Sequence, residues 1–174
     1  MISRVHSAEY QLHGVLDIRA TSADTLKSYV NGGYGKFNSH DGTNVSLAQA
    51  GGEVVVTWDL GLSAHVVANA YSDENDSVVG LTETFLKYRT LPNEAGYRWQ
   101  TKIGIFYPEI SLENNAYAWA SRNTLNSSAI NTWLGEEIRV LGGEVALTRL
   151  GKFNNNAFDI TLAATAFVNN DPAG

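Results

Sequence analysis

The chain has no cysteine among its 174 residues, so a disulfide framework, a thiolate nucleophile and a cysteine metal site are all excluded. It also lacks a long apolar run. Nothing approaches the roughly 18 consecutive apolar residues that a membrane helix needs, which excludes a helical membrane protein and leaves a membrane β-barrel open. Basic charge is scarce: 12 Lys and Arg against 18 Asp and Glu give a net charge of −6. The cations are scattered rather than gathered in a stripe, so no nucleic-acid partner is expected. Catalytic signatures are missing as well, with no GxSxG, HExxH or P-loop and no GxGxxG in strand-to-helix context. His6, His13, His40 and His65 are too dispersed to form a metal site. The acidic run at 72–77, SDENDS, lacks the glycine and distal glutamate of an EF-hand loop and reads as a solvated loop. Glu136 and Glu137 point to opposite faces if extended, and Glu109 or Glu113 could pair with Glu137 as glycosidase carboxylates only if the intervening segment folded back. No enzymatic activity, cofactor or metal is expected.

What is present is a period of two. With 44% hydrophobic and 17% charged residues the composition is that of an ordered domain of this length. From Glu9 to Thr21, Tyr10, Leu12, Gly14, Leu16, Ile18 and Ala20 alternate with Gln11, His13, Asp17 and Arg19, a strand pattern. Glu53 to Tyr71 alternates for so long that a tight turn is expected at Asp59-Leu60-Gly61, dividing it into two strands. Tyr97 to Tyr107 and Ala157 to Val168 repeat the pattern, and Val78 to Thr90 and Ile138 to Arg149 are strand-like. The last of these slips phase near Gly142-Gly143, where a bulge or tight bend is expected. One helix is expected at Ala23–Asn31, capped by Ser22 and ended by Gly32. Turn clusters separate the strands at 40–43, 72–76, 91–96 and 151–156, and none has the length or low complexity of a linker. The fold class is therefore all-β, an antiparallel up-and-down meander in a single domain spanning 1–174.

The ends carry signals of processing and truncation. Residues 1–8 contain no apolar h-region, yet Val5-His6-Ser7 resembles the last part of a secretory signal. FVNNDPAG ends on turn chemistry. An incomplete chain at both ends is expected.

Alternation alone does not say which face meets water. A soluble sandwich turns its apolar face to a core; an outer-membrane barrel turns it to lipid and lines its lumen with the polar face. Aromatics at the two ends of one apolar face, Tyr97 and Trp99 then Tyr107, with Ile103 and Ile105 between, suit two girdles around a lipid-facing band. Charges recur in same-face pairs, as in Asp17 with Arg19 and Lys87 with Arg89. The barrel reading makes Asp17, Arg19, Lys87, Arg89, Arg98, Lys102, Glu137, Arg139 and Asp159 pore-lining residues, and their mixed signs predict no strong ion preference. The alternative is a soluble secreted β-sandwich that binds carbohydrate through Trp119 and Trp133.

Resemblance favours the first. KIGIFYPEISLENNAYAW, TLNSSAINTWLGEEIR, GGEVALTRLGK, the FVNNDPAG ending, LTETFLKYR and Tyr34-Gly35-Lys36-Phe37 together resemble a proteobacterial family of porin-like outer-membrane β-barrel proteins, similar in build to phosphate-selective porins. Complete members are longer, begin with a secretory signal and end on an aromatic residue, so the resemblance implies an N-terminal fragment. It also implies location in the outer membrane of a Gram-negative bacterium, contact with outer-membrane lipid, passive diffusion of small hydrophilic solutes, and compatibility with a homo-oligomer. The segment from Glu109 to Glu137 is the one stretch without a period. Irregular backbone at membrane depth is tolerated where it lines a lumen. This segment is therefore expected either to fold inward as a constriction loop, with Glu113, Arg122, Asn126 and Asn131 reaching solutes and Trp119 and Trp133 packing it to the wall, or to form an ordinary external loop.

Overall fold

The computed structural model describes residues 7–23, 42–72, 77–108, 116–120, 128, 139–153 and 155–169. Seven strands form one sheet in sequence order: β1 (Glu9–Ala23), β2 (Gly42–Thr57), β3 (Leu62–Ser72), β4 (Ser77–Arg89), β5 (Tyr97–Phe106), β6 (Val140–Arg149) and β7 (Ile160–Asn169). Every neighbouring pair is antiparallel. Among the described residues β1 and β7 are the edges and do not pair with each other.

The meander has one rim of tight connections. At the β2–β3 turn, Leu60 and Gly61 both take positive φ, 69° and 83°, and the Trp58 N–H closes the turn on the Leu62 carbonyl at 2.9 Å. A Cβ at Gly61 would collide with the Arg89 carbonyl, so glycine is required there by conformation and by space. In the β4–β5 turn Asn93 accepts the Tyr97 N–H on its side chain at 2.8 Å and the Gly96 N–H on its carbonyl at 2.9 Å, the local bonding that makes Asn a turn residue. Asp159 does the equivalent for the β6–β7 connection, accepting the Gly151 N–H at 2.8 Å. At the far rim β3 and β4 are joined through 73–76, and the longer intervals 24–41 and 107–139 leave from the same side.

Register shows where alternation breaks. The pairing slips between Asp17 and Ile18, whose partners are Gln49 and Leu47, and between Val67 and Ala68, whose partners are Glu83 and Leu81. Ala48 in β2 and Thr82 in β4 are thus the extra residues of two bulges. At Gly142-Gly143, where a bulge or tight bend is expected, the register shows no bulge: Ile103 pairs with Gly143 and Gly104 with Gly142 without a break, inside the continuous strand β6. The apparent slip in the sequence arises because β6 carries apolar residues on both faces, with Val140 and Ala146 on the opposite side from Leu141 and Val145. The expected helix lies outside the described residues except for Ala23, which ends β1. Strand β5 ends at Phe106, and Tyr107 lies past it, half-buried.

The two faces differ in an unusual direction. One carries Tyr10, Leu12, Leu16, Ile18, Val45, Val79, Leu81, Leu86, Tyr88, Trp99, Ile103, Leu141, Val145, Leu162 and Val168, all exposed; Leu12 is 78% exposed and Leu162 75%. The other carries the buried polar residues Ser63, Asn69, Thr82, Lys102, Glu144 and Thr148, with Lys102 only 4% exposed. Buried apolar residues are few and are mostly interspersed among these polar ones: Val55, Val67, Phe106, Val140 and Ala146. The side that a soluble sheet would bury is the side left open.

Candidate functional site: the polar face

The polar face is built from alternate residues of all seven strands, and the register assembles two clusters on it. Toward the tight-turn rim, Lys87 pairs with Lys102 and Lys102 with Glu144 across β4, β5 and β6. The Lys102 ammonium lies 3.7 Å from a Glu144 carboxylate oxygen, and stands 4.8 Å from the ring centre of Phe106 and 5.3 Å from that of Phe85. Thr165 donates its hydroxyl to the other Glu144 oxygen at 3.2 Å. A buried charge survives only when paired and hydrogen-bonded, and these contacts supply that. His65 stacks on Phe85 at 4.6 Å, with Ser63 Oγ 3.2 Å from its Nε2 and Glu53 3.9 Å from its Nδ1. Gly104, at φ 139°, and Gly142 leave room for Phe85 and Phe167: a Cβ on Gly104 would approach the Phe85 Cα to 2.7 Å, and one on Gly142 the Phe167 Cβ to 2.7 Å.

The second cluster lies farther from that rim, at mid-strand in β1 and β2, and holds a piece of the aperiodic segment. Tyr117–Trp119 forms a single 3-10 turn that lies against β1, β2 and β3. Tyr117 stacks on His13 with ring centres 3.9 Å apart and planes 6° from parallel. Ala118 is 1% exposed, and its carbonyl accepts two carboxamide donors, Gln49 Nε2 at 3.0 Å and Asn69 Nδ2 at 3.0 Å. Gln49 also donates to Asn69 Oδ1 at 2.9 Å, and Asn69 to Thr82 Oγ1 at 2.8 Å. Both bulges serve this seat, since Gln49 adjoins the extra residue of β2 and Thr82 is the extra residue of β4. Bulges re-aim side chains, and here they help direct two carboxamides at one oxygen, with Thr82 accepting the second Asn69 hydrogen. Beneath the turn Gly51 presents bare backbone, where a Cβ would collide with Asn69 Oδ1 and come within 2.6 Å of the Ala118 Cβ. We refer to residues 116–120 as the hook and to Gln49, Gly51, Asn69, Thr82 and His13 as its seat.

Of the expected lining residues, Asp17, Arg19, Lys87, Arg98 and Lys102 fall on the polar face, buried or half-buried. Arg19 reaches back to Asp17 at 2.6 Å. Arg89 is exposed at the end of β4. Arg139 precedes β6 and donates to the Leu81 carbonyl at 3.0 Å. Asp159 is spent on its turn, so its carboxylate is a structural acceptor. Glu137, Glu113, Arg122, Asn126, Asn131 and Trp133 lie outside the described residues, as does the side chain of Trp119, although Trp119 itself belongs to the hook. The seat residues were not singled out from the sequence; the signals available for them were the two phase changes and the Gly51-Gly52 pair.

On the apolar face, Tyr10, Tyr88, Tyr97 and Trp99 form one band near the tight-turn rim. The expected second girdle through Tyr107 is absent among the described side chains: the far rim carries Ile18, Val45, Val79, Leu141 and Val168, and the Tyr107 N–H is held by Glu83 Oε1 at 2.8 Å. Among the described residues no group of His, Asp and Glu could hold a metal ion, and no helix is long and apolar enough to cross a membrane. No protein-family model, curated protein or solved structure matches the chain.

Proposed function

We propose that the chain forms part of the wall of a porin-like outer-membrane β-barrel, through which small hydrophilic solutes diffuse passively. The observation that carries this reading is the inverted burial. The exposed apolar side chains of the sheet present on the order of 2,000 Å² taken together, where the largest apolar patch on a soluble monomer is roughly 300–600 Å². Such a face requires a cover. Lipid suits it because the apolar positions run the length of β1, from Tyr10 to Ala20. Ten residues at about 3.3 Å rise and ~40° tilt give a band ~25 Å high. The polar face, with its buried ion pair and inward-folded hook, suits a lumen wall. The sequence resemblance points the same way. Closing a barrel needs strands beyond these seven, from the same polypeptide or from another copy.

The hook gives the reading its mechanism. A turn fixed to the wall at mid-strand depth narrows the lumen, so passage is limited by the bore and by the charges beside it. Reconstitution into planar lipid bilayers tests both parts. Stepwise conductance is expected, with larger steps for Gly51→Leu, whose side chain displaces both the Asn69 carboxamide and Ala118. A protein that stays monodisperse in plain buffer and gives no conductance would remove the channel reading. Steps of equal size in Gly51→Leu would remove the constriction.

A further inference from the structure

We infer that the seat is a recognition site for solutes carrying a secondary amide, and that the hook occupies it as an internal competitor. The inference rests on the polar face being a lumen wall, as proposed above, and goes beyond it by assigning a ligand chemistry. Gln49 and Asn69 each have two amide hydrogens; one of each is used within the network, on Asn69 Oδ1 and Thr82 Oγ1, and the other of each points at the Ala118 oxygen. Without a carbonyl oxygen at that point, two buried donors lose their acceptor. The bare backbone of Gly51 lets a small group approach to contact, and the imidazole face of His13 accepts a flat group beside it.

Two features mark the hook as an imperfect occupant. Ala118 sits in the left-handed region at φ 53°, ψ 30°, which L-residues disfavour. Among the described residues His13 Nδ1 is buried without a hydrogen-bond partner while Tyr117 covers the ring. A solute that brings a carbonyl oxygen without backbone strain, together with a hydrogen-bonding group for Nδ1, satisfies the seat more fully. Capped amino acids, short peptides and N-acetylated sugars share this chemistry. The hook, tethered in place, competes at an effective concentration on the order of mM, so half-saturation of the intact protein is expected at roughly 10 mM or above.

The test is saturation-transfer NMR on the full chain in detergent micelles, with N-acetylalanine methylamide and N-acetylglucosamine as probes and glucose as the solute without an amide. At least one amide probe should bind the intact chain detectably more tightly than glucose, and the stronger of the two identifies the source. Tyr117→Ala removes the stack but leaves the seat, and should tighten that probe about 3- to 10-fold; deletion of residues 116–120 should do at least as much. Asn69→Leu should abolish the difference from glucose, with far-UV circular dichroism confirming that the strands are retained. Amide probes no better than glucose on both the Tyr117→Ala and the hook-deleted chains would overturn the site. Because binding is read in micelles, absent conductance with amide binding retained would remove the channel and keep the site; conductance without amide binding would do the reverse.

Discussion

The two faces of this sheet are made of the same strands and separated by one residue in phase, yet they follow opposite rules. On one, Leu12, Leu16, Ile103 and Leu162 are exposed with no apolar neighbour layer above them. On the other, Lys102, Glu144, Asn69 and Thr82 are buried and each has a polar partner. A soluble sheet places its hydrophobic stripe inside and its charges outside. Here hydrogen bonds and an ion pair hold the polar side, and the apolar side is left uncovered among the described residues. The lesson is that the solvent of a face is read from the partners of its polar groups more securely than from its hydrophobicity.

The largest effect expected from breaking this contrast is on the inward side. Glu144→Leu strands the Lys102 ammonium among Phe85 and Phe106 and should cost about 3–5 kcal/mol, whereas Lys102→Met combined with Glu144→Leu should recover most of that. Unfolding midpoints in urea, measured in micelles, check both; equal losses in the single and double variants would mean the pair is not a unit. Next comes the outward side. Leu12→Arg should cost about 2–4 kcal/mol in lipid vesicles, while Gln11→Arg, one residue away on the other face, should stay within roughly 0.5 kcal/mol. In a soluble protein with a water-facing apolar side the two would differ little. The smallest effect is at Asp17 and Arg19, a half-exposed pair on one strand: Arg19→Gln should change stability by less than about 1 kcal/mol and be insensitive to which face meets lipid.

The sequence made the strands legible and the site much less so. Alternation alone places β1, β3, β5 and the Asp59–Gly61 turn to within a residue or two, because period two is the direct signature of a sheet with unlike faces. It fails for the first half of β2, Gly42–Gly52, where the Ala48 bulge and Gly51-Gly52 break the rhythm. It also placed a bulge or tight bend at Gly142-Gly143, where small and apolar residues on the polar-face side imitate one. The seat was invisible for a related reason. Gln49, Asn69 and Thr82 lie 33 residues apart from first to last (49 to 82) and form no motif; only the register brings Gln49 and Asn69 to one carbonyl and Thr82 to Asn69. The aperiodic segment, by contrast, announced itself. Of it, residues 116–120 lie against the polar face of β1, β2 and β3, and most of the side chains expected to form a constriction are not among those described.

The central claim is that the apolar face of the sheet contacts lipid. Since the chain has no cysteine of its own, single cysteines can be placed in turn from Tyr10 to Arg19, spin-labelled, and read for collision with oxygen and with a water-soluble nickel chelate in lipid vesicles. Oxygen collision should peak at Tyr10, Leu12, Gly14, Leu16 and Ile18 and chelate collision at the residues between them. Equal access of the chelate to both sets would contradict the account.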